Sequence, residues 1–173
     1  QYATGISYRH LFNKGFYNIT LNRNYVDYDA FQNDTLLNPI FLNNSKEAEH
    51  ELKADVVYKI ATASELNFGA SAKYILFESD VLFPEQFTTT FGETLPITSL
   101  NANESFFKYS AFGLYSTSFF NRLRFNLGVR ANYFTALDDG FTVSPRLSMS
   151  YALTHSTNVN FSTGIYRQNP SYI

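Results

Sequence analysis

Residues 121–135 read Asn-Arg-Leu-Arg-Phe-Asn-Leu-Gly-Val-Arg-Ala-Asn-Tyr-Phe-Thr, and every second side chain is apolar: Leu123, Phe125, Leu127, Val129, Ala131 and Tyr133. Between them stand Arg124, Asn126, Gly128, Arg130 and Asn132. A period of two puts these two sets on opposite faces of an extended strand. Such a strand suits a soluble barrel with its apolar side chains inside, or a membrane barrel with them turned to lipid. The sequence favours lipid. A soluble core would have to hold the apolar face of every similar strand, while the other face exposed little charge. In a membrane barrel Arg124 and Arg130 line a watery lumen, whereas placing either against the bilayer midplane would cost about 2–4 kcal/mol.

Composition agrees with that reading. The 173 residues carry a net charge of -2 and are 45% hydrophobic, which suits one domain of either kind. Phe (18) and Tyr (13), with no Trp, exceed what a small core needs. A barrel uses such residues as aromatic girdles at both water interfaces. No run approaches the roughly 18 apolar residues of a membrane helix, so spanning falls to strands. The absence of cysteine excludes a disulfide framework and a thiolate metal site. Gln1 to Arg9 lacks the basic start and apolar run of a signal peptide, so a secreted chain has lost one or is part of something longer. The slight acidity leaves no basic footprint for nucleic acid.

The same alternation recurs along the chain. Thr4, Ile6, Tyr8 and Phe12 share a face up to a tight turn at Asn13-Lys14-Gly15, and Tyr17, Ile19 and Leu21 begin the return strand. Strict register would put Arg23 and Asp27 on that apolar face, so a bulge is expected near Asn22 to Asn24. Residues 29–48, rich in Asn, read as a long irregular connection. Leu52, Ala54, Val56, Tyr58 and Ile60 then oppose Glu51, Lys53, Asp55 and Lys59. After a turn at 62–64, Leu66, Phe68, Ala70, Ala72, Tyr74 and Leu76 oppose Asn67, Gly69, Ser71 and Lys73.

A second long connection spans about residues 78–103. Beyond it, Phe107 to Phe119 alternate with Lys108, Ser110, Ser116 and Ser118, although Phe112 and Leu114 intrude on the wet side. Asn121-Arg122 leads into the strand quoted above, and Asp138-Asp139-Gly140 leads out of it. Leu147, Met149 and Tyr151 oppose Arg146, Ser148 and Ser150, and a turn at 154–156 precedes a last strand carrying Val159, Phe161, Thr163 and Ile165. Eight strands of about 9 to 13 residues are predicted, the length a tilted strand needs to cross a bilayer. Short and long connections alternate, as periplasmic turns and outer loops do.

Gly128-Val129-Arg130, Ser144-Pro145-Arg146 and Gly164-Ile165-Tyr166-Arg167-Gln168-Asn169-Pro170 lie on three consecutive predicted strands. In order and spacing, residues 105–173 resemble barrel strands of TonB-dependent receptors. The resemblance implies a 22-stranded outer-membrane barrel, with a plug domain inside, that imports metal chelates, vitamins or oligosaccharides on energy relayed by the TonB-ExbB-ExbD complex. It also implies contact with lipid and lipopolysaccharide, and admits a surface lipoprotein partner. The chain shows no recognisable plug, no TonB-contacting segment and no closing strand, so residues 1–173 read as middle strands of one barrel domain. A complete eight-stranded barrel with a structural or adhesive role is the alternative.

Candidate ligand-binding residues follow from placement. Arg124, Arg130 and Arg146 form a potential basic ladder facing an anionic ligand or acidic plug groups; the ordinary alternative pairs them with Glu51 and Asp55. Phe31, Phe41, Phe83, Phe87 and Phe91, in the two long connections, are placed to stack on a sugar or chelate. Arg167 falls on the lipid parity, where it would reach outer-leaflet phosphates. His10, His50 and His155 lack ligand spacing, Asp138-Asp139-Gly140 reads as a turn rather than a calcium site, and no nucleophile, base and carboxylate converge. Neither metal, cofactor nor catalysis is expected.

Overall fold

The computed structural model describes residues 1–83, 90–92, 99–120 and 122–167. It contains β1 (Tyr2–Phe12), β2 (Gly15–Asn33), β3 (Pro39–Ala61), β4 (Ser64–Leu82), β5 (Ser99–Phe119), β6 (Leu123–Phe134), β7 (Phe141–Ala152) and β8 (Asn158–Gly164). Each strand pairs with its neighbour in sequence, giving one eight-stranded sheet in the order β1 to β8. The all-β antiparallel architecture is therefore the expected one. The sheet is open, with β1 and β8 at its edges, so the closed eight-stranded alternative is not formed.

The faces are inverted relative to a soluble protein. Along β5, Phe107, Tyr109 and Ala111 are exposed while Lys108, Ser110 and Phe112 between them are half-buried. Leu127 is 52% and Val129 50% exposed. Among the described residues the buried apolar side chains are Ile75, Val81 and Phe134, too few for the core of a soluble barrel. Phe112 and Leu114, apolar on the wet face, have a local cause. A Cβ on Gly69 would meet the Phe112 ring at 2.9 Å, and one on Gly128 would meet Leu114 at 3.2 Å. Leu114 opposes Gly128 in the β5–β6 register, so both side chains cover a glycine on a neighbouring strand.

Three expectations are corrected. The strands β2 to β5 run for 19, 23, 19 and 21 residues, well beyond the predicted 9 to 13. Most of residues 29–48 is strand, and so are both ends of 78–103. Backbone pairing continues where the two faces no longer differ in polarity, which removes the signal that marks a strand in sequence. The bulge at 22–24 is absent: Tyr25 stacks on Tyr2 at 5.2 Å and the Arg23 guanidinium lies 5.8 Å over the same ring. That cation–π contact gives an arginine a partner on an apolar face, so no shift of register is needed.

Contacts divide the chain into two compact units. The first comprises Gln1–Thr4, Asn22–His50 and Tyr74–Phe106 and holds Ile75, Val81 and a Ser45–Ser79 hydroxyl pair at 3.1 Å. Its β2–β3 turn is closed by Asp34. One carboxylate oxygen accepts from the Leu36 and Asn38 amides, each at 2.8 Å, and the other from the Asn38 side chain at 3.1 Å. These bonds hold Leu37 in the left-handed region at φ 65. The Asn38 side chain first, then the Asn38 and Leu36 amides, hold the Asp34 carboxyl below the usual carboxylate range. A depressed value means the turn is stabilised above the ordinary carboxylate pKa and released as pH falls through the folded value. Asp34→Ala is expected to lower amide protection at residues 34–38 at neutral pH, and to remove the further loss of protection, measured against the intrinsic exchange rate, on acidification. Unchanged exchange in the variant would show that the carboxylate does not hold the turn.

Candidate functional site

The second unit comprises Gly5–Leu21, Glu51–Lys73 and Phe107–Ile173. Its polar face is held by pairs of small side chains across adjacent strands. Ser64 and Thr117 lie 2.7 Å apart, Ser71 and Ser110 2.9 Å, and Asn126 donates to Ser148 at 3.0 Å. On β1 to β3, Arg9 donates to Asn18 at 2.8 Å, Asn18 donates to Asp55 at 3.2 Å, and Lys53 stands 3.8 Å from Asp55. Such pairs fix side chains on a wet face without asking any of them to be apolar.

Within this face lies a cavity of about 390 Å³ whose charged lining is Glu51, Lys73, Lys108, Arg130, Arg146 and Arg167. Antiparallel register brings the cations together. Arg130 on β6 faces Ser144 on β7, and two residues along β6 Gly128 faces Arg146. Lys108 on β5 faces Phe134, its ammonium 4.3 Å from the ring centre. Neutral groups hold the arginines: Arg130 donates to Asn132 at 2.9 Å, and Arg146 lies 5.4 Å over the Tyr166 ring. Among the described residues no carboxylate pairs with Arg130, Arg146 or Arg167. Ser144, also in the lining, is 2% exposed and its hydroxyl has no hydrogen-bond partner.

The expected ladder is therefore split. Arg130 and Arg146 share the cavity, but Arg124 lines a separate cleft of about 260 Å³ near the short turns, with Lys59 and Glu65. It sits four residues from Gly128 along β6, roughly 13 Å at strand rise. The expected pairing with Asp55 does not form, since Asp55 is taken by Lys53 and Asn18. Arg167 is corrected as well: β8 ends at Gly164, so strand parity no longer governs its direction and it lines the cavity instead of facing lipid. Lys73 and Lys108 were legible as wet-face residues, but nothing in the sequence sets the register that aligns them with Arg130.

Four of the five phenylalanines lie among the described residues, on different elements. Phe31 is an exposed residue of β2, Phe41 is half-buried on β3, Phe83 is half-buried just past β4, and Phe91 is 94% exposed. Phe87 lies outside the described residues. The described residues contain no group of His, Asp or Glu suited to a metal ion.

No protein-family model matches the sequence, and neither does any curated protein. Solved structures do: P. aeruginosa FpvA, in a complex with a heterologous pyoverdine and iron, superposes with a TM-score of 0.71 at 14% identity. The match covers 92% of this chain and 26% of that one, so the chain spans about a quarter of its structural neighbour. At that identity the likeness is one of fold.

Proposed function

We infer that the chain is part of the wall of an outer-membrane, TonB-dependent transporter that takes up a scarce nutrient such as a metal chelate, vitamin or oligosaccharide. The observation that carries this reading is the height of the uncovered apolar face. Phe107, Tyr109, Tyr133 and Phe141 form an exposed aromatic band at one end of the β5–β7 stretch of sheet; Phe119 and Tyr151 are exposed at the other. Tyr109 stacks on Tyr133 at 6.4 Å. From Tyr109 to Phe119 is ten residues, roughly 33 Å along the strand, or about 23 Å of height at a tilt near 45 degrees. The lipid-facing band of outer-membrane barrels is about 25 Å tall between its aromatic girdles.

The likeness to FpvA, whose structure holds a pyoverdine and iron, supports the same reading. In it, the wet face lines a lumen, a plug domain occupies that lumen, and lipid with lipopolysaccharide covers the apolar face. The TonB-ExbB-ExbD complex supplies energy, and a surface lipoprotein is a further candidate partner. Arg124, Arg130 and Arg146 are the candidate residues for an anionic solute, and Phe31, Phe41, Phe83, Phe87 and Phe91 are the candidates for stacking on a sugar or chelate. The wall does no chemistry of its own. Cells lacking the intact protein are expected to lose uptake of one nutrient of this group, and removing TonB should stop the same uptake. Undiminished uptake in both strains, or recovery of the protein outside the outer-membrane fraction, would overturn the reading.

A further inference from the structure

We propose that the cavity bounded by Lys73, Lys108, Arg130, Arg146 and Arg167 is a binding site for a compact polyanion, a solute bearing two or more phosphate or carboxylate groups. The proposal rests on the importer reading, because it takes the wet face to be the solute's path.

Three observations converge on that ligand. The first is a charge excess. The whole chain is slightly acidic, yet Arg130, Arg146 and Arg167, none of them paired with a carboxylate among the described residues, line one cavity in which Lys73, Lys108 and Glu51 are the other charged groups. Like charges held together are unfavourable unless something of opposite sign joins them, and walls of low dielectric strengthen both the repulsion and its relief. The second is how the arginines are held. Asn132 orients Arg130 and the Tyr166 ring supports Arg146, leaving their remaining N–H donors for a ligand. Guanidinium groups suit planar or tetrahedral oxyanions because two parallel N–H bonds match two oxygens.

The third observation is Ser144. Its hydroxyl is buried and unpartnered beside Arg130, an arrangement that costs free energy until an acceptor arrives. Turned toward the cavity, it would donate to a ligand oxygen held between Arg130 and Arg146. The volume, about 390 Å³, admits a small metabolite-sized anion. An acidic protein segment lying in the lumen would answer the charge as well, but a small anion also accounts for the unpartnered Ser144 hydroxyl between the arginines. One bidentate guanidinium contact with an anion is a strong hydrogen-bonding interaction, so loss of either arginine is expected to matter at the level of affinity.

Calorimetric titration of the intact, detergent-solubilised protein with pyrophosphate and with citrate tests this. At least one should bind, more weakly as salt is raised. Arg130→Gln and Arg146→Gln should each weaken binding on the order of tenfold or more. Arg146→Lys, which keeps the charge but loses the fork, should fall between Arg146→Gln and wild type. Ser144→Ala should weaken binding several-fold, and Lys14→Gln, an equal change of charge at the β1–β2 turn, should leave it unaltered. Each variant is first checked for folding by its heat-dependent mobility in electrophoresis. If neither anion binds the folded protein, or if the Arg130→Gln/Arg146→Gln double variant binds as wild type does, the proposal is overturned and the cluster passes to an acidic protein segment. That failure is separate from failure of the importer reading, which would show as loss of outer-membrane fractionation or of TonB-dependent uptake.

Discussion

Replacing Val129 with arginine is expected to destabilise the intact protein in phospholipid vesicles by about 2–4 kcal/mol, the cost of an arginine near the bilayer midplane. Val129 lies near the middle of β6, opposite Gly113 on β5 and Pro145 on β7, and is 50% exposed with no protein packed over it. The same residue introduced at Asn160, on the wet face of β8 opposite Ser150, should change stability by less than about 1 kcal/mol. Urea unfolding of both variants in vesicles measures the contrast. The comparison is sharper than either value alone, because the propensity scale spans only about 1 kcal/mol, less than the cost expected from hydrocarbon. Equal effects at the two positions would mean that hydrocarbon does not cover the Val129 face, and the membrane reading would go with it.

The second large effect is expected at Gly140. A Cβ there would collide with the Phe134 carbonyl oxygen and lie 3.2 Å from that of Leu137. The Gly140 carbonyl in turn accepts the Phe134 amide at 3.0 Å, which closes the β6–β7 connection. Neither carbonyl is the far end of a flexible side chain, so the backbone must move. Gly140→Ala is expected to cost about 1–3 kcal/mol or more, the range for forcing atoms into a filled site. Gly113→Ala, where nothing lies within 4 Å of the added methyl, is the matched control and should be near neutral. Because β6 carries Arg130 and β7 carries Arg146, Gly140→Ala should also weaken polyanion binding, whereas Gly113→Ala should not. A stable Gly140→Ala variant with unaltered unfolding would show that the connection tolerates a rearrangement that the close approach to Phe134 argues against.

The residues that make Gly140 critical were visible in sequence as a turn, Asp138-Asp139-Gly140. What the turn does was not visible. Its glycine serves close backbone approach to Phe134, a residue ahead of it in the chain whose position depends on how the hairpin closes. Likewise, Lys73, Lys108 and Arg167 carried no mark that set them apart from Lys59 or Arg124.

Which side chains share a face of each strand was decided by the chain alone, because alternation is a local property: neighbouring side chains on an extended backbone must point opposite ways whatever surrounds them. That settled the number of strands, their antiparallel order and the apolar character of the Leu127–Val129 face. Strand length and the meeting of Arg130 with Arg146, Ser144 and Arg167 were decided only in three dimensions. Both depend on hydrogen-bond register between strands and on where each strand stops, and those are set by backbone partners distant in sequence, which leave no periodic trace in the side chains.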